Sequence, residues 1–302
     1  MESRYSLLEK IGNGHFGIVY VAENKKHQKV AIKIDTSEYG MLRHEAKILN
    51  YLTQRKPNLP IPHVFWFGNV GENSLRIPST SQCMAMTWFN GGSLKEYLQK
   101  TVDIETTYRQ RDDVPTRDVT RRVDGDGTLP EDLYARRPYV RNICLPNFMQ
   151  NMLSILQQIH EKYVIHRDIK PENIVLHCPK DTTDIQIQLI DFGLATFYID
   201  GVTGNHIPEN IVRSQEMIGS PVYATIYTHQ GIKPSRRDDC IQLGYVYLYM
   251  ILEGHLPWEG IATNRLREQI KREYVIKDPW LASYMERCMR LKYNETPDYL
   301  FI

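Results

Sequence analysis

Residues 30–34, Val-Ala-Ile-Lys-Ile, alternate: Val30, Ile32 and Ile34 fall on one face of a strand, Ala31 and Lys33 on the other. Another apolar stretch, "IVYVAEN", precedes it and follows a glycine-rich turn, so the chain opens as strands around that turn. A helix is predicted from about Glu38 to Thr53, with Leu42, Glu45, Leu49 and Leu52 on one stripe. Three prolines in "KPNLPIPH" end it, and "SQCMAMTWF" reads as a strand broken by "NGG". Thr101 to Arg141 has no sustained apolar period and is dense in both charge signs, which predicts a loop-like or weakly ordered insertion. Helical periodicity returns with Phe148, Met152, Ile155 and Ile159. Short strand patterns follow at "NIVL" and "IQIQLI", and the remainder reads as mainly helical, including "IQLGYVYLYMIL". The layout is a small strand-rich lobe followed by a larger helical one, an α+β arrangement without internal repeats.

Composition narrows this little. With 302 residues, 42% hydrophobic and 24% charged, the chain is ordinary globular material with room for one large domain or two lobes. A net charge of +1 gives no bulk electrostatic reason to bind nucleic acid. The most apolar run, Leu243 to Leu252, is about half a membrane span, and we read it as a buried helix. The residues from Met1 to Lys10 carry no signal-peptide core. Five scattered cysteines without a C-x-x-C pair point away from zinc, redox chemistry or a disulfide framework and towards a reducing compartment.

Three constellations carry chemistry. "GNGHFGIV" places Gly12, Gly14 and Gly17 in G-x-G-x-x-G spacing, with Val19 beyond. Glycines let backbone N–H groups approach phosphate oxygens. A Rossmann turn would lead into a helix; here a strand follows, which favours a hairpin lid over a nucleotide. "VIHRDIKPENIVL" contains His166, Arg167, Asp168 and Asn173 in H-R-D-x-x-x-x-N spacing. "LIDFGLA" ends an apolar strand on Asp191-Phe192-Gly193. Phosphoryl transfer needs a carboxylate to orient a hydroxyl and take its proton, and oxygen ligands for magnesium. Asp168 suits the first role, Asn173 and Asp191 the second, and Lys170 is placed to steady the transferred group. Lys33 alone reads as a solvated edge charge. Glu45 on an apolar stripe needs a partner, however, and a Lys33–Glu45 pair would hold the amine on ATP phosphates.

In this order the motifs resemble the eukaryotic protein kinase family from about Tyr5 to Ile302, the charged insertion excepted, and Lys170 is what serine/threonine kinases carry. The resemblance implies a bilobal protein kinase-like fold: a small antiparallel N-lobe over about 1–86 with one main helix, a hinge over about 87–90, and a helical C-lobe over about 91–302. It implies ATP and Mg2+ as cofactors. Ile11, Gly12, Gly14, Gly17, Val19, Ala31, Lys33, Met86, Thr87 and Phe89 would bind the nucleotide; Met86 reads equally as a core residue.

"GSPVYATIYTHQGIKPSRRDDCIQLGYVYLYMILEGHLPWEG" resembles casein kinase I, which lacks A-P-E and carries S-I-N before T-H-x-G, S-R-R-D-D, L-G-Y-V and L-P-W-x-G. "PDYLF" also matches a signature of that family. Here Thr225-Ile226-Tyr227 replaces S-I-N. In most kinases the A-P-E glutamate is buried against an arginine; losing both partners is tolerable, so Tyr227 predicts a different brace. The resemblance assigns Ser220 to contact with the catalytic aspartate and Asp239 to bracing the catalytic loop, although Asp239 also reads as a helix N-terminal charge. Val222 stands where the family has an arginine for phosphate-primed substrates, and "GGSL" replaces G-P-S-L. Arg265, Arg267, Lys271 and Arg272 form a basic helical run, either a solvated face or a contact for acidic substrates.

The expectation is an active casein kinase I-like serine/threonine kinase acting on protein Ser/Thr hydroxyls, with a leaning to acidic substrates. Nucleic acid and membrane are not expected as partners, a monomer is expected, and the cytoplasm, with the nucleus open, is the expected compartment. The stop soon after "PDY" leaves no regulatory tail in view. Thr196, Thr203 and Ser214 lie in the stretch after Asp191, where the resemblance implies no need for phosphorylation. Two rivals are a pseudokinase scaffold, which should lack a catalytic residue, and an aminoglycoside-type phosphotransferase, which should lack D-F-G-L-A and T-H-x-G with S-R-R-D-D.

Overall fold

The computed structural model describes residues 1, 4–14, 17–35, 40–71, 77–99, 139–140, 143–177, 185–210, 217 and 219–300. The charged insertion lies outside them except for Tyr139 and Val140, and so do Cys178 and Ser214. Among the described residues no helix is long and apolar enough to cross a membrane.

The described chain forms two compact units, residues 1–92 with 155–168 and 173–207, and residues 93–154 with 169–172 and 208–302. The first holds an antiparallel sheet of five strands: β1 (Tyr5–Gly14), β2 (Gly17–Asn24), β3 (Lys29–Ile34), β4 (Val64–Asn69) and β5 (Gln82–Thr87), ordered β1-β2-β3-β5-β4. The alternation read in residues 30–34 is realised. Val30, Ile32 and Ile34 join Ala22, Cys83 and Ala85 in a buried cluster, which leaves Ala31 and Lys33 for the opposite face. Hydrophobic transfer of that one face fixes the register, because a one-residue slip would turn Lys33 into the cluster. Gly17 has φ +143 and its backbone meets Ile34 so closely that a Cβ would collide with the Ile34 carbonyl oxygen. Only glycine fits where β2 turns in beside β3.

Helix α1 (Met41–Arg55) buries Leu42, Glu45, Ala46, Ile48, Leu49 and Leu52, the predicted stripe and its flanks. It begins at Met41 rather than near Glu38, after Gly40 in a left-handed conformation. Farther along, the strands Ile174–His177 and Gln186–Leu189 pair antiparallel. The Leu176 N–H donates to the Gly92 carbonyl at 2.9 Å. A Cβ on Gly91 would strike the Leu176 carbonyl, which accounts for glycine in the "NGG" break.

The second unit is helical. Arg236–Ile251, Asn264–Glu273 and Pro279–Arg290 are its principal described helices. The apolar run is a buried helix as expected: Leu243, Val246, Leu248 and Met250 are at most 1% exposed. Ser235 and Asp238 form a capping box, with the Ser235 N–H donating to Asp238 Oδ2 at 2.8 Å, so Asp238 caps this helix reciprocally with Ser235. With its antiparallel sheet and helical C-terminal part, the chain has the expected α+β class.

Candidate active site

The residues singled out for chemistry, Lys170 excepted, lie in the first unit. Lys33 projects from β3 on the face away from the cluster and is 6% exposed. Its Nζ donates to Glu45 Oε2 at 2.7 Å and to Asp191 Oδ1 at 2.9 Å. Burial by itself would drive the charge off this amine. The two carboxylates outweigh that, so the amine is held above its ordinary value. Glu45 uses both oxygens, since Oε1 accepts from the Phe192 N–H at 3.2 Å. Burial pushes the Glu45 carboxyl up, and Lys33 and the Phe192 N–H act against that push.

Asp191 sits in the left-handed region at φ 64, a conformation an aspartate tolerates, just before the turn Phe192–Leu194. The segment around it is pinned residue by residue. His166 donates from Nε2 to the Ile190 carbonyl at 3.1 Å and its ring packs edge-on against Phe192, with ring centroids 4.8 Å apart. The Asp168 N–H donates to His166 Nδ1 at 3.3 Å, which fixes the tautomer with the proton on Nε2. Arg167 Nε donates to the Leu194 carbonyl at 2.5 Å, and His44 of α1 donates to the Ala195 carbonyl at 2.7 Å. These bonds hold Asp191 where Lys33 reaches it.

Asn173 joins Asp168 to the same group. Its Nδ2 donates to the Asp168 carbonyl at 2.8 Å and to Asp168 Oδ2 at 3.2 Å, leaving the amide oxygen available to a cation. The Ile190 N–H returns to the Asn173 carbonyl at 2.9 Å, tying the loop of Asp168 to the strand of Asp191.

A pocket in this unit is lined by Ile11, Gly17, Val19, Ala31, Met86, Thr87 and Phe89 together with Lys33, Glu45, Asn173 and Asp191. Ala31 stands opposite Met86 in the β3–β5 pairing, so the small side chain leaves space beside the larger one. Gly12 and Gly14 lie in β1, paired with Val19 and Gly17, and are not in that lining. Trp88 lies in the anticipated hinge; Pro62, Val175 and Ile190 complete the wall and escaped the motif search, being ordinary apolar residues. Among the described residues no cluster of three His, Cys, Asp or Glu side chains could hold a metal alone. A divalent cation on Asp191 and Asn173 would draw its remaining oxygen ligands from phosphate and water. The donor set fits that demand: one carboxylate and one amide oxygen beside a fixed ammonium.

Lys170 falls in the second unit, half-buried. There the Ile169 N–H donates to Gln242 Oε1 at 3.0 Å, a brace next to Lys170 that sequence reasoning did not find. Tyr227, where a different brace is expected in place of the A-P-E pair, makes two contacts in the second unit. Its ring lies under the buried Arg237 guanidinium at 3.5 Å, and its hydroxyl donates to the Met289 carbonyl at 2.6 Å. Among the described residues Arg237 Nε and Nη2 make no hydrogen bond but lie 3.7 Å from Asp238 Oδ2 and 3.6 Å from Glu209 Oε1, so the ring face adds to two long ion pairs around the guanidinium. Tyr227→Ala is expected to cost about 3 kcal/mol, the sum of a desolvated cation–π contact and a hydrogen bond, and Tyr227→Phe about 1 kcal/mol. Urea unfolding measures both; equal costs would place the brace in the hydroxyl alone.

The basic run is a correction. Arg267 and Lys271 are 8% and 7% exposed, neither solvated nor turned outward. Arg265 and Arg272 are exposed, and Arg272 is paired with Glu268 at 2.9 Å.

Two comparisons bear on this geometry. The chain is 28% identical over 316 aligned residues to Casein kinase I homolog 2 of Schizosaccharomyces pombe, an alignment covering 99% of this chain and 60% of that protein. The chain thus spans about 60% of the length of the curated relative it matches. The model of the protein kinase domain matches residues 5–294, a span that contains every residue of the cluster above, and this chain therefore belongs to the protein kinase family.

Proposed function

We propose that this protein transfers the γ-phosphoryl group of ATP, with Mg2+, to serine and threonine hydroxyls of protein substrates, as a casein kinase I-like enzyme. The observation that carries the reading is the Lys33 amine held between Glu45 at 2.7 Å and Asp191 at 2.9 Å, with Asn173 bonded to Asp168 in the same unit. When bound, magnesium ATP supplies the electrophilic phosphorus and a cation that neutralises charge developing on the phosphate oxygens. The chain's own residues do the rest. Apolar side chains from β2, β3 and β5 exclude water from the base, and backbone groups of Thr87 to Phe89 are available to bond it. Lys33, with Glu45 fixing its direction, positions the phosphates; Asp191 and Asn173 hold the metal. Asp168 orients the acceptor hydroxyl and takes its proton at a carboxylate oxygen, and Lys170 steadies the transferred group. The acceptor peptide is assigned to the segment carrying Ser220.

The family's preference for phosphate-primed substrates is not carried over, because Val222 stands where an arginine is needed. A leaning to acidic substrates rests on Arg265 and Arg272, the exposed members of the basic run. The pseudokinase reading is disfavoured because Lys33, Glu45, Asp168, Asn173 and Asp191 are all present and Lys33 is already paired for work. An aminoglycoside-type phosphotransferase is disfavoured by Asp191-Phe192-Gly193-Leu194-Ala195 and by Thr228, His229 and Gly231 ahead of the Ser235–Asp239 run.

A peptide-library phosphorylation assay tests this, comparing serine, threonine and tyrosine acceptors in neutral, acidic and pre-phosphorylated contexts. Transfer to serine and threonine without a requirement for priming is expected. A strong preference for pre-phosphorylated peptides would refute the reading of Val222, and transfer to tyrosine alone would refute the acceptor class.

A further inference from the structure

Lys271 has no place in the chemistry above, yet it is one of the most deeply buried lysines of the described chain. It lies on helix Asn264–Glu273 and reaches back to the turn that follows Ser220. Its Nζ donates to the Ala224 carbonyl at 2.5 Å and to the Pro221 carbonyl at 3.2 Å, and lies 3.1 Å from His229 Nε2. The faces of Tyr245 and Trp258 stand 5.1 and 5.4 Å away. Among the described residues no carboxylate comes within ion-pair distance of it.

This is an expensive place for an amine. Burial, with Arg267 adding repulsion from the same helix, pushes Lys271 down to about 6. Burial likewise pushes His229, the titratable group facing it from the turn Ile226–His229, down to about 3, with Lys271 and Arg267 contributing. An apolar side chain of equal length would fill the site without that penalty. What only the amine supplies is a pair of donated bonds to two carbonyls of one turn.

Those bonds complete a set. The Trp258 indole N–H donates to the Val222 carbonyl at 2.8 Å, between the two that Lys271 holds. The Ser220 carbonyl accepts from the Tyr223 and Ala224 N–H groups at 3.0 and 2.8 Å. Thr225, next in the chain, donates to Asp238 Oδ1 at 2.5 Å and caps the turn Ile226–His229. Every carbonyl from Ser220 to Ala224 except that of Tyr223 therefore has a named donor. Two of these donors, Lys271 and Trp258, come from outside the turn.

We propose that Lys271 is a positioning residue for the acceptor peptide, acting by fixing the shape of the Ser220–Ala224 turn through the Pro221 and Ala224 carbonyls. The proposal rests on the reading of this protein as a protein kinase whose acceptor lies along the Ser220 segment. Lys271 is not among the residues that line the nucleotide pocket, so its loss is expected to act on the peptide alone.

The test uses the full chain with Lys271→Met and Lys271→Gln, measuring KM for a peptide and for ATP, kcat, and the thermal midpoint. Methionine keeps the volume and removes both donors; glutamine keeps one donating group. The expected result is a rise in peptide KM of roughly 10-fold for methionine and less for glutamine, in keeping with the sensitivity of reaction geometry to small displacements. KM for ATP should stay within about 2-fold, and the midpoint of the methionine variant should move little, since relief of the buried amine offsets the two carbonyls left without its bonds. Should the methionine variant not fold, the glutamine variant carries the same comparison. An unchanged peptide KM in a folded variant would overturn the proposal, and so would a parallel loss in peptide KM, ATP KM and midpoint, which marks a purely structural role. Wild-type protein that phosphorylates no peptide would instead overturn the kinase reading, and this inference with it.

Discussion

Asp168→Asn is expected to keep nucleotide binding and to lower phosphotransfer by about 10²–10⁴-fold, the range for loss of a positioned general base. The asparagine is isosteric, and the surrounding bonds are largely to backbone or tolerate an amide: Asn173 Nδ2 still finds the residue-168 carbonyl at 2.8 Å, and the residue-168 N–H still finds His166. What is lost is a carboxylate able to accept the hydroxyl proton. Since Asp168 lies outside the pocket lining, affinity for ATP should hardly move. Steady-state kinetics with parallel nucleotide titration separates the two quantities. Transfer at near wild-type rate would remove Asp168 from the chemistry.

Lys33→Met should fail twice, in activity and in stability. The phosphates lose their fixed cation, and Glu45, 2% exposed, keeps a carboxyl whose partner has gone. Breaking a buried pair from one side costs about 3–5 kcal/mol. The double variant Lys33→Met/Glu45→Gln removes both charges, and it should recover most of the stability while remaining inactive. Denaturant unfolding and a kinase assay on the single and double variants make the separation. Recovery of activity in the double variant would mean that Lys33 serves only to satisfy Glu45.

That pair shows why much of the site was legible. A glutamate on an apolar helical stripe announces a missing partner, and a lysine on the face of β3 beside Ala31 offers one, twelve positions away. Asp168, Asn173 and Asp191 were legible because they stand in H-R-D-x-x-x-x-N and D-F-G motifs that resemble those of the kinase family. The alternation in β3 and the period in α1 carried the fold of the first unit for the same reason: one buried face enforces one register.

Lys271 and Arg267 were not legible. Two basic residues four apart on a helix with high charge content read as a solvated face, and their burial depends on partners remote in the chain. Lys271 answers to carbonyls 47 and 50 positions back, and backbone acceptors leave no mark in a side-chain pattern. Gln242 was hidden likewise, as a polar residue inside an apolar helix whose partner is a backbone N–H. Tyr227 was half legible. The loss of A-P-E predicted a substitute brace, but its form, a guanidinium over a ring, requires knowing that Arg237 folds inward. Asp238 was within reach, since Ser235-Arg-Arg-Asp238 ahead of an apolar run is a capping-box pattern.

The account stands on a convergence of Lys33, Glu45, Asp168, Asn173 and Asp191 about one metal-bound nucleotide. An equilibrium titration of ATP into the wild-type chain and Asp191→Asn, each with Mg2+ and with a chelator, addresses it directly. We expect saturable binding by the wild type that is strengthened by magnesium, with the magnesium effect lost in Asp191→Asn. Binding of equal strength in all four conditions, or none in the wild type with magnesium, would contradict it.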